Sequence, residues 1–106
     1  MAQSRVQQLQ EILQQDPSNL LTRYALAMEL SNAGRGDDAW PHFEHLLTRH
    51  PEYAAAYYQA GKLLVKLGRR PEARKVLRDG IEVTRRQGNQ HAQSELEAAL
   101  EELGGS

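Results

Sequence analysis

Three side chains near the middle of the chain have the types and spacing of a metal site. Asp38, His42 and His45 lie at i, i+4 and i+7, which is one face of a helix. A carboxylate with two imidazoles can hold zinc or another divalent ion. The pattern is not H-E-x-x-H, because the two histidines are three apart. Histidines on a solvated helix face need no ligand to account for them, so neither a metal nor a cofactor is expected. His50 precedes Pro51 and reads as a cation at a helix end. The chain has no cysteine, which excludes a thiol nucleophile, a disulfide framework and a cysteine-ligated zinc. It has no G-x-S-x-G. Gly34-Arg35-Gly36 follows no strand and is a turn, not a phosphate-cradling loop. These residues point to a non-enzymatic chain.

The elements that carry these residues are helical. Ala, Leu, Glu, Gln and Arg dominate and aromatics are only 6% of the 106 residues, which is helix-forming stock. The glutamine-rich start has no apolar core of a signal peptide, and no apolar run is long enough to cross a membrane. A cytoplasmic protein is the resulting expectation. Net charge is −1, but it is uneven. Residues 62–86 hold nine Lys and Arg against three Asp and Glu, whereas Glu95, Glu97, Glu101 and Glu102 make the last helix acidic. The basic stretch has no interleaved aromatics and spreads over several helix faces. It reads as a solvated face partly neutralised by the acidic helix after it, and no nucleic-acid partner is expected.

The chain repeats itself at an interval of 34. Pro17, Tyr24, Ala27, Leu30, Gly34, Arg35, Ala39, Phe43 and Leu47 recur as Pro51, Tyr58, Gly61, Leu64, Gly68, Arg69, Ala73, Leu77 and Ile81. Each copy reads as two helices. Pro17-Ser18-Asn19 is a turn with cap residues before the first, and Leu20, Leu21, Tyr24, Leu26, Ala27, Met28 and Leu30 recur along it at helical spacing. Residues 32–36 break it. Asp37 and Asp38 start the second helix, whose stripe is Ala39, Phe43, Leu46 and Leu47. In the second copy, Tyr53 to Leu67 is one helix and Pro71 opens the next, which runs to about Arg86. A helix over 2–15, with Val6, Leu9, Ile12 and Leu13 inward, precedes the copies. One over 90–103, with Ala92, Leu96, Leu100 and Leu103 on one face, follows them. Trp40 reads as packing against the neighbouring copy, with a partner anchor as the alternative. The ending Gly104-Gly105-Ser106 reads as a flexible tail over 104–106.

These residues resemble the tetratricopeptide repeat, whose pattern is W-x2-L-G-x2-Y, then A-x3-F, then P. The first copy offers Arg23-x2-Leu26-Ala27-x2-Leu30, Ala39-x3-Phe43 and Pro51. The second offers Tyr57-x2-Ala60-Gly61-x2-Leu64 and Ala73-x3-Leu77, with Arg85 in the proline slot, so its second helix runs long. The resemblance implies an all-α, right-handed array of helical hairpins in one domain over 1–103. It has six helices: a half repeat, repeat 1 over 18–51, repeat 2 over 52–86, and a capping helix.

The resemblance also implies a protein-interaction module that takes a peptide or helix of a partner protein in a concave groove lined by the first helix of each pair. The matching slots are Leu21, Tyr24, Met28 and Asn32 in repeat 1, and Ala55, Tyr58, Gln59, Lys62 and Lys66 in repeat 2. The last helix adds His91, Ser94, Glu95 and Ala98. The tyrosines supply rigid amphipathic contact area, or pack between helices, and the two lysines one turn apart favour an acidic ligand. Some tetratricopeptide repeat domains clamp a C-terminal carboxylate with set Lys, Asn and Arg residues. Here those slots hold Tyr24, Met28 and Gln59, so that clamp is not reproduced. A monomer is expected, since the glutamates of the last helix make a solvating cap. The alternative is a self-associating structural scaffold or an engineered one.

Overall fold

The computed structural model describes residues 3–104; the ends of the expected first helix and of the tail lie outside them. Six helices follow one another: α1 (Arg5–Gln15), α2 (Leu20–Asn32), α3 (Gly36–Arg49), α4 (Ala54–Lys66), α5 (Arg70–Gln87) and α6 (Gln90–Glu102). They form two compact units, the first ending at His50 and the second starting at Pro51.

In the first unit, α1 starts with a reciprocal cap. The Ser4 hydroxyl accepts from the Gln7 amide, and the Gln7 side chain accepts from the Ser4 amide, each at 3.1 Å. The helix ends at Asp16, whose conformation is non-helical before Pro17. It packs on α2 through Leu9 and Leu13. Ile12, expected inward, is 47% exposed. With α2 as its one neighbour in the unit, α1 needs only the stripe one turn apart, and Ile12 lies about 100° off Leu13 around the axis. Asn19 caps α2 by accepting from the Thr22 amide at 3.0 Å. Facing α2 and α3 bury Leu26, Ala27 and Leu30 with Ala39, Phe43 and Leu46. Pro41 sits inside α3, where its missing N–H leaves the Asp37 carbonyl without a helical partner; Asp37 is exposed, so water can serve it.

The 34-residue interval reappears as backbone geometry. After α2 and after α4 the chain turns through Gly34 (φ 76°) and Gly68 (φ 77°), a region open to glycine without strain. At these two turns the Arg35 amide donates to the Leu30 carbonyl, and the Arg69 amide to the Leu64 carbonyl, both at 2.8 Å. The same arginines then reach forward to the next helix, Arg35 to Asp38 at 3.0 Å and Arg69 to Glu72 at 2.6 and 2.7 Å.

In the second unit, α4 packs on both α5 and α6, and α5 packs on α6. Two glycines inside helices allow this approach. A Cβ on Gly61 would stand 2.5 Å from a Leu77 methyl. One on Gly80 would stand 2.6 Å from the Tyr57 Cβ and 3.1 Å from a Leu96 methyl. Buried Thr84 satisfies its hydroxyl on the Gly80 carbonyl at 2.9 Å. As Arg85 in place of proline implied, α5 runs on to Gln87. Asn89 then caps α6; its Leu96, and Leu103, which follows its last turn, are buried.

Candidate functional site

On α2, Leu21 is 65% exposed and Asn32 is exposed, while Tyr24 and Met28 are half-buried. The Tyr24 ring meets the buried Phe43 ring edge-on, with centroids 6.3 Å apart and planes at 78°. Part of Tyr24 therefore serves the core of its own unit.

On α4, Ala55, Lys62 and Lys66 are exposed and Tyr58 and Gln59 half-buried. The Lys62 ammonium lies 5.2 Å from the Tyr58 ring centroid, one turn back along the helix, so charge and ring form one surface feature. On α6, His91, Ser94, Glu95 and Ala98 are all exposed, and His91 Nε2 is 3.7 Å from a Glu95 carboxylate oxygen.

Beside Lys62 and Lys66 is a cavity of about 280 Å³ that the sequence reading missed. Gly61, Val65, Leu77 and Leu103 give it apolar walls, Lys62, Lys66 and Arg70 stand around it, and Ala99 and Glu102 close the α6 side. An Arg70 Nη2 donates to the Leu103 carbonyl at 3.4 Å, joining the start of α5 to the end of α6. In the sequence Arg70 is one of many cations. Its place beside Leu103 depends on how α5 and α6 pack on each other.

The histidine face of α3 is built differently from a metal site. Asp38 is engaged by Arg35. An Arg23 Nη1 lies 3.1 Å from His42 Nδ1. Because guanidinium only donates, that nitrogen accepts and His42 is the neutral Nε2–H tautomer. Burial pushes the His42 pKa below its ordinary value, and the charges of Arg23 and His45 add to this against the opposing Asp38. His45 is lowered for the same first reason and by Arg23, Arg49 and His50. Among the described residues no group of three or more His, Asp or Glu is placed to hold a metal ion.

Two helical pairs related by 34 residues, with small residues where the helices meet, now stand together with their matching turns. The tetratricopeptide repeat profile matches residues 30–100. This chain belongs to the tetratricopeptide repeat family. A crystal structure of a tetratricopeptide repeat domain protein from Salinibacter ruber is similar at a TM-score of 0.77 and 37% identity, over 82% of this chain and 97% of that one. A solution structure of a tetratricopeptide repeat domain protein from the same organism gives 0.78 and 39%, over 83% and 89%. A Bordetella parapertussis protein, solved in solution, gives 0.84 and 29%, over 97% and 90%. Comparison with curated proteins gives no match. In tetratricopeptide repeat terms, Arg23 and Tyr57 occupy the tryptophan slot and Ala27 and Gly61 the small slot. The fold of this family generally mediates protein–protein interaction. Among the described residues, no helix is long and apolar enough to cross a membrane.

Proposed function

We propose that this tetratricopeptide repeat chain is a non-enzymatic binding module that takes a peptide or helix of a partner protein on the exposed sides of its first helices. Leu21, Tyr24, Met28 and Asn32 serve on α2, and Ala55, Tyr58, Gln59, Lys62 and Lys66 on α4, with His91 and Glu95 at the start of α6. The observation that carries this reading is the Tyr58–Lys62 pair. A half-buried aromatic ring and an ammonium are held together on the solvent side of α4, ready to contact a partner with little loss of freedom. The cations of α5 support a protein over a nucleic acid as partner. Lys75 pairs with Asp79, and Arg85 and Arg86 with Glu82, within the helix itself, so much of the basic stretch is already neutralised.

The test is affinity capture from the organism's own extract, read by mass spectrometry, with Leu21→Ser and Tyr58→Ala beside the native chain. Neither substitution removes a core residue, whereas truncating Tyr24 would also disturb Phe43. Loss of the captured protein with helical circular dichroism retained supports the reading. Capture that is identical for both variants and the native chain overturns it. We read the chain as a monomer, since Glu97 and Glu101 are exposed on α6. The exposed Ile12 and Leu21 favour self-association as the second reading.

A further inference from the structure

We propose that the cavity of the second unit receives one apolar side chain of a partner peptide whose neighbouring residues are acidic. The inference rests on the protein-binding reading above and adds the chemistry of the ligand. At about 280 Å³ the cavity is at the small end for a pocket and has the size of one or two side chains, not of a nucleotide or cofactor. Val65, Leu77 and Leu103 make it apolar, so the group that enters must be apolar to gain from leaving water.

The charge around it is largely uncompensated. Elsewhere in the unit, several cations have carboxylates one turn away: Arg69 with Glu72, Lys75 with Asp79, Arg85 and Arg86 with Glu82. At the cavity, Lys62, Lys66 and Arg70 face a single carboxylate, that of Glu102. α4 itself carries no acidic residue. Lys62 lies over a ring instead of a carboxylate, Lys66 has no hydrogen bond or ion pair among the described residues, and Arg70 spends one N–H on a carbonyl. An apolar hole ringed by cations fits an apolar anchor with Asp or Glu within a residue or two on either side. The acidic flank steers and aligns the peptide while the anchor is buried.

The probe is a randomised peptide library displayed on phage, selected against the full chain. Selected peptides are expected to carry one aliphatic or Met anchor flanked by Asp or Glu. They should shift the methyl resonances of Val65, Leu77 and Leu103 in the native chain, and bind the exposed-site variant Lys62→Glu/Lys66→Glu about tenfold more weakly or worse. Replacing the anchor by Ser should weaken binding comparably. The inference is overturned if no binder emerges, if the binders show no acidic bias, if those methyls do not move, or if the double variant binds as well as the native chain. Should it fall in any of these ways while Tyr58→Ala still prevents capture of the partner, the protein-binding reading stands without it.

Discussion

Arg23 and Tyr57, 34 residues apart in the chain, make the same bond with different chemistry. Arg23 Nη2 donates to the Pro17 carbonyl at 3.1 Å, and the Tyr57 hydroxyl to the Pro51 carbonyl at 2.6 Å. Pro17 and Pro51 are themselves 34 apart. In each repeat the fourth residue of the first helix, α2 or α4, reaches back to hold the proline turn that leads into that helix. Neither residue is the tryptophan of the repeat pattern, but each keeps a donor at the right reach. This explains how so different a residue as arginine occupies the slot.

Tyr57→Phe removes only the donor and leaves the ring on Gly80. It should lower stability by about 1 kcal/mol, the net worth of a hydrogen bond. Urea unfolding followed by circular dichroism would show it, with the slope unchanged. Tyr57→Ala empties a buried site as well and should cost about 3–5 kcal/mol.

Gly80→Ala and Gly61→Ala should both destabilise, although alanine favours a helix over glycine by about 1 kcal/mol. At Gly80 the new methyl meets the Cβ of Tyr57, which cannot move without the helix. At Gly61 it meets the end of the Leu77 side chain, which can shift rotamer. Gly80→Ala should therefore cost about 1–3 kcal/mol and Gly61→Ala less. Thermal midpoints of the two variants, ordered the other way, would contradict this geometry.

Acid should weaken the first unit through His42 and His45. Their pKa values lie below the ordinary 6.5 in the folded chain. The unfolded chain thus binds more protons in this range, and stability falls as pH is lowered through 6.5 toward the folded values. Protonation of His42 also turns its Nδ1 from acceptor to donor against Arg23. Stability measured between pH 7.5 and pH 5 should decline, and His42→Gln, which keeps an acceptor but does not titrate, should flatten the decline. A His42 signal that titrates above 6.5 by NMR would refute it.

Gly68→Ala places a side chain at φ 77° with open space around it. The whole cost is then backbone strain, about 1–2 kcal/mol, with no loss of packing. Gly34→Ala, at φ 76°, should cost the same within error. A clear difference between the two in matched unfolding curves would show that the turns are not equivalent.

Local chemistry made much of the fold legible. The cap in the Pro17-Ser18-Asn19 turn, the glycine turns and the 34-residue interval are all near-neighbour features, and each appears in the structure where the residues place it. Ile12 shows where such reading stops. Helical spacing put it inward, but only the number of helices packed on α1 decides how wide the buried stripe is. His42 shows the same limit for chemistry, since its spacing shows only that it shares a helix face with Asp38 and His45, while its actual neighbour, Arg23, comes from another helix.

By itself the sequence determined that this is an all-helical tandem repeat of the tetratricopeptide type, because period, turn residues and small-residue slots are properties of neighbours along the chain. Tertiary structure alone decided that Tyr24 leans on Phe43, that Tyr57 lies over Gly80, and that Arg70 joins Leu103 beside a cation-ringed apolar cavity. Those relationships span helices, and they depend on how each helix packs on its neighbours, which no local pattern encodes.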